Sequence, residues 1–107
     1  MDAKRIAKCE ARAKIIKALA HPARLLIVDE LSKVPERCVC ELTDMIGSDM
    51  STVSRHLAVL KGAGLIEDDR RGQMIFYRLR VKCLPNFFVC IESVIACNAK
   101  GQLELLS

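Results

Sequence analysis

"SDMSTVSRHLAVLKGAGLIEDDRRGQMIFYRL", residues 48–79, changes its hydrophobic period partway along, and that change decides the fold. From Ser51 to Lys61, Val53, Leu57 and Leu60 fall at offsets of four and three, the single stripe of an amphipathic helix. Thr52, Ser54, Arg55, His56 and Lys61 are left on its other faces. Ser48 or Asp49 stands where a helix N-cap belongs, and Gly62 and Gly64 stop the helix. Beyond them Ile75, Tyr77 and Leu79 alternate with Met74, Phe76 and Arg78 around a polar tip holding Gly72. That alternation is the period of a two-stranded hairpin.

Upstream, "CVCELTDMIG" (38–47) sets Val39, Leu42 and Ile46 at helical offsets and ends on a glycine, giving a short helix just before the one above. "PARLLIVDEL" (22–31) forms another, since Pro22 suits a first helical turn and disfavours helical geometry at His21. "SKVPER" reads as the loop after it, and residues 3–20 carry Ile6, Ile15, Ile16 and Leu19 at helical spacing without Gly or Pro. Downstream, Pro85 opens "PNFFVCIESVIACNAK", an apolar helix that should end near Gly101. The expected fold is mainly α with a small β-hairpin. It is a single winged helix-turn-helix domain over residues 1–107, with five helices and a two-stranded wing.

Composition narrows the function. Hydrophobic residues make up 51% of the 107, enough for a core, and in a domain this small a second subunit would add stability, so a homodimer is expected. No apolar run reaches the roughly 18 to 20 residues that span a bilayer, so no membrane association is expected. The start, "MDAKRIAKCEARAK", has no apolar signal core, which points to the cytoplasm. Six cysteines in a reducing compartment stay thiols or bind metal. No His is paired with a Cys, and neither a phosphate-cradling glycine loop nor a carboxylate pair is evident, so the chain does not read as an enzyme.

A net charge of +4 is compatible with a polyanionic partner, and its placement matters more than its sum. A helix entering the DNA major groove keeps one apolar stripe for its own core and offers short polar and basic side chains to bases and phosphates. Ser48, Ser51, Thr52, Ser54, Arg55, His56 and Lys61 meet that demand, although a plain solvated amphipathic helix has the same spacing. Arg70, Arg71, Gln73 and Arg78 concentrate donors on the hairpin, where they could follow phosphates; Asp68 and Asp69 oppose close contact there.

These residues together, "TVSRHLAVLK" followed by "AGLI" and "YRL" after "HPARL", with "CVCEL" between, resemble the ArsR/SmtB family of metal-responsive repressors over roughly residues 6–97. The resemblance implies a dimeric cytosolic repressor joined through its first and last helices, which leaves double-stranded operator DNA when a metal or metalloid binds. Asp49 departs from the Gln that many relatives carry near the reading helix. Zinc or cobalt sites on the last helix of some relatives use His ligands that this chain lacks, since its histidines are His21 and His56.

Thiolates select soft ions. Cys38 and Cys40 lie about 200° apart around a regular helix axis and so cannot share an ion inside one. At a frayed first turn they can, with Cys38 outside the helix, and binding would then unwind the helix start. Arg37 and the helix dipole should lower the thiol pKa values, with Glu41 opposing. The bland reading makes both cysteines small buried apolar residues. The family resemblance implies arsenite or antimonite, As(III) or Sb(III), as effector. Cd, Pb or Zn, or a disulfide switch without metal, are the alternatives. Arsenic-sensing relatives often place a third thiolate where this chain has Thr43, so Cys9, by likeness to cadmium and lead sensors, is the candidate third ligand, reaching across from the other subunit. Cys83, Cys90 and Cys97 recur every seven residues, which are roughly 10.5 Å apart along a helix, too far for neighbouring thiols to grip one ion. A cross-subunit site and an apolar dimer face both suit them.

Overall fold

The computed structural model describes the backbone of residues 2–106 and the side chains of residues 2–101. In chain order the elements are α1 (Ala3–Leu19), α2 (Pro22–Lys33), β1 (Arg37–Cys38), α3 (Val39–Ile46), α4 (Met50–Gly62), β2 (Ile66–Arg71), β3 (Met74–Leu79) and α5 (Leu84–Leu106). Each boundary has a local cause. Asp2 caps α1 by accepting from the Lys4 N–H, and the His21 ring caps α2 at the Ala23 N–H, 3.0 Å away, with Pro22 in the first turn. Gly47, at φ +78°, closes α3 in the left-handed conformation that glycine adopts without strain. Asp49 caps α4, and only a short turn separates the two helices.

The core lies where α2, α3 and α4 meet the sheet. Val53, Leu57 and Leu60, the stripe read from the sequence, are fully buried, together with Ile27 and Val28 of α2 and Leu42 of α3. Ile66 and Leu79 pair at the base of the hairpin and seal it from the sheet side. At roughly 1.5 to 3 kcal/mol for each fully buried aliphatic side chain, this cluster dominates the stability of the reading head.

Two elements differ from the sequence reading. The sheet has three strands in the order β1-β3-β2, not two, because Arg37 and Cys38 extend and pair antiparallel with Tyr77 and Phe76. Two residues are too few to show an alternating pattern. The last helix also continues past Gly101 to Leu106. A single glycine weakens a helix by only about 1 kcal/mol, too little to end it unaided. Among the described residues no helix is long and apolar enough to cross a membrane.

Candidate nucleic-acid interface and thiol pair

The amino-terminal end of α4 is built around Asp49. Its carboxylate accepts from the Thr52 N–H at 3.1 Å, from the Thr52 hydroxyl at 2.6 Å and from the Ser51 hydroxyl. The Ser51 hydroxyl, then that of Thr52, hold the Asp49 carboxyl well below the usual carboxylate range. Two of the hydroxyls expected on DNA thus serve the cap. Ser48, Ser54 and Arg55 are exposed on the same end, and Arg55 reaches the Thr52 oxygen through a long contact of 3.4 Å. Met50 is half exposed there, a residue the polar pattern had hidden.

His56 turns inward rather than onto the open face where the sequence reading put it. Its Nδ1 accepts from Arg24 Nε at 3.2 Å, and its ring lies 4.3 Å from that of His21, so it joins α4 to the start of α2. Burial first, then the charges of His21, Arg24 and Arg55, lower its pKa. Arg24 also donates to the Ala18 carbonyl at 3.3 Å, which ties the end of α1 into the same junction.

At the end of α4 and on the wing, several of the cations read as DNA donors are paired within the protein. Lys61 bonds Asp68 at 3.0 Å and Arg78 bonds Glu67 at 2.8 Å. Arg71 donates from both terminal nitrogens to Glu36 at 2.7 Å each and from Nε to Asp69 at 3.0 Å, and its guanidinium lies 4.4 Å from the centre of the Phe76 ring. The sequence showed the acids but not their reach. Arg70 and Gln73 are exposed beside Gly72, and Arg70 has no ion pair among the described residues.

Cys38 and Cys40 straddle a change of secondary structure. Cys38 has extended dihedrals (φ −81°, ψ 163°), belongs to β1 and is the N-cap of α3, while Cys40 lies in the first helical turn. Cys38 is only 5% exposed and Cys40 is exposed; both are free thiols. Glu41 reaches back to accept from the Cys38 N–H at 3.1 Å, the reciprocal half of a capping box. Arg37 does not depress the Cys38 pKa as expected, because its guanidinium is engaged by Glu41 at 2.8 Å and Glu30 at 3.2 Å. The Glu41 backbone N–H pulls the thiol down, but burial and the Glu41 carboxylate together outweigh it and push the thiol up.

Cys9 is exposed on α1, about 15 Å along the helix from buried Leu19. Among the described residues no three Cys, His, Asp or Glu side chains of one chain converge as a metal site. Cys83, Cys90 and Cys97 are all exposed.

A helix–turn–helix with a capped, polar-faced second helix, backed by a three-stranded wing, defines a winged-helix DNA-binding regulator of transcription. The profile of the "Bacterial regulatory protein, arsR family" matches residues 21–68. The HTH-type transcriptional regulator YgaV of Escherichia coli is 35% identical over 88 residues, covering 82% of this chain and 89% of that one. The arsenic resistance transcriptional regulator ArsR1 of Pseudomonas putida is 40% identical over 84 residues, covering 78% and 66%. Among solved structures, a homodimeric winged helix-turn-helix DNA-binding domain from Mycobacterium bovis, described as a possible ArsR-family regulator, aligns with a TM-score of 0.76 at 29% identity, covering 94% of this chain and 93% of that one. The chain spans 51% of the length of some other curated repressors that it matches. It belongs to the ArsR/SmtB family, and is a transcriptional repressor of that family rather than an enzyme.

Proposed function

We propose that the protein acts as a homodimer that holds operator DNA through α4 and the wing tip, and releases it when As(III) or Sb(III) is bound by Cys38 and Cys40. The observation that carries this reading is the position of the thiols: one stands just outside α3 and the other just inside it, at the element that leads by one turn into α4. Relatives whose names refer to arsenic resistance support the choice of element.

Ser54 and Arg55 are the open donors of the reading helix, and exposed Met50 offers an apolar contact of the kind that reads a thymine methyl. Arg70 and Gln73 are the wing's open donors, while Ser51 and Thr52 hold the Asp49 cap and His56 joins α4 to α2. With Cys38 extended outside α3 and Cys40 in its first turn, the pair escapes the opposed geometry of a regular helix, and drawing both sulfurs onto one atom loads the helix start that the Glu41 cap on Cys38 holds. Strain at that point passes through Gly47 and Asp49 to the cap of α4. A coupling of about 1–3 kcal/mol changes DNA affinity by roughly 5- to 150-fold. Cys9 of a second subunit supplies the third thiol in this scheme, and each thiol proton leaves with one hydroxyl of the neutral arsenous acid as water while an As–S bond replaces an As–O bond.

The test is a titration of the protein on operator DNA with arsenite and, separately, with cadmium in reducing buffer. Release by arsenite supports the reading, release by cadmium alone reassigns the effector, and release by peroxide in metal-free buffer makes the pair a redox switch.

A further inference from the structure

The wing is tied to the thiol strand by a closed circuit of strand pairings and side-chain contacts that the sequence does not suggest. Cys38 pairs with Phe76 across β1 and β3, and Phe76 pairs with Asp69 across β3 and β2. Arg71, one residue before the Gly72 tip, packs its guanidinium over that same Phe76 and donates to Asp69. Its two remaining nitrogens fork onto Glu36, which directly precedes β1. Starting at Cys38, the path therefore crosses to Phe76, rises to Arg71 and returns through Glu36 to a point two residues before the thiol.

We infer that Glu36 is a positioning residue: through its fork with Arg71 it fixes the wing to the strand that carries Cys38, so that the wing's placement on DNA depends on where that strand lies.

Three features support this over the ordinary reading of Arg71 as a phosphate contact. Arg71 faces two carboxylates, so the group carries a net charge of about −1 and has little attraction for phosphate. A bidentate arginine–carboxylate pair fixes orientation as well as distance, unlike a lysine contact. The two residues are 35 apart in sequence, so the fork joins separate parts of the chain and does more than decorate one turn. Isolated surface ion pairs contribute little, but a forked pair stacked on a ring and joined to a second acid is a network.

Together with the proposed thiol function, on which this part rests, the circuit gives the thiols two outputs. One runs through α3 and the turn to α4, and the other through Glu36 and Arg71 to the wing. A change at Cys38 moves both DNA-facing elements together.

The experiment is a double-mutant cycle on effector-free protein, measuring affinity for a mixed-sequence DNA duplex across a salt series for wild type, Glu36→Gln, Arg71→Gln and the pair. Removing an acid beside a DNA-facing wing should, by charge alone, tighten binding. The strut instead predicts that Glu36→Gln weakens it by about threefold to tenfold, that Arg71→Gln weakens it equally and that the pair is no worse than either. The dependence on salt stays unchanged, since no phosphate contact is lost. Each single variant keeps the helical circular dichroism of wild type, which separates a lost fork from a misfolded domain. Tighter or unchanged binding by Glu36→Gln overturns the inference, as does a drop of about one in the salt slope for Arg71→Gln, the mark of a lost phosphate contact. A second arm compares arsenite-induced release: Glu36→Gln should lose part of it. If wild type is not released by arsenite, the thiol reading fails while the DNA cycle still decides the strut.

Discussion

The reading helix and the last helix carry similar apolar spacing and use it in opposite ways. In α4, Val53, Leu57 and Leu60 are completely buried against α2, α3 and the sheet. In α5, Phe87 and Phe88 pack onto the edge of that core, but Val94 and Ile95 further along are 56% and 61% exposed. Ile6 and Ile16 of α1 are exposed as well. The reading head is complete within one chain, while the two end helices leave apolar side chains uncovered. Exposed apolar side chains on both end helices are what a subunit interface would cover, which fits the proposed homodimer.

The sharpest way to break the contrast is to cut an equivalent apolar group from each side. Leu57→Ala should cost about 2–5 kcal/mol in urea unfolding, because its cavity lies in a closed core. Val94→Ala should leave the folding of a single chain within about 0.5 kcal/mol, since its side chain faces solvent there. Val94→Glu goes further: helical circular dichroism persists while sedimentation shows dimers dissociating to monomers. A Val94→Glu protein that remains dimeric would show that the end helices are not the interface.

A smaller effect separates the two groups of cations. Arg55 is open and Arg71 is forked, so Arg55→Ala should weaken DNA binding and lower the salt slope by about one, and Arg71→Gln should not change that slope. Smallest of all is a pH effect at the junction of α2 and α4. His56 has a folded pKa below its ordinary value of 6.5, so its contribution to stability is present above that value and is lost as pH falls through it toward the folded pKa. The melting temperature should therefore drop between pH 7.5 and 5.5, and His56→Gln should flatten part of that drop. An identical pH profile in the variant would show that the ring is not held neutral by its surroundings.

The head was legible in the sequence because long-range packing and local pattern agree there. Val53, Leu57 and Leu60 form a stripe, Gly47 ends a helix, and Asp49 caps the next; each signal is local and the structure keeps it. β1 was not legible, since its two residues extend only because β3 offers them a partner. The same holds for the candidate DNA face. Their placement along the chain showed Lys61, Arg71 and Arg78 as donors with Asp68 and Asp69 opposing, and only the folded register shows that Asp68, Glu36 and Glu67 pair with them. His56 sits on a polar face of its own helix, yet Arg24 and His21 from an earlier part of the chain turn it inward. Stereochemistry gave a position outside the helix only as the condition for Cys38 to share an ion with Cys40; that Cys38 is extended depends on its pairing with β3, and the rise in its pKa on burial and on how Glu41 folds back.

In the proposed function, two sulfurs on either side of a helix start control the grip on DNA. The direct measurement is arsenite titration of operator complexes formed by wild type and by Cys38→Ser/Cys40→Ser, with affinity before addition matched by adjusting protein concentration. Wild type should be released and the double variant should stay bound at every arsenite concentration that releases wild type. Equal release of both proteins would contradict the account.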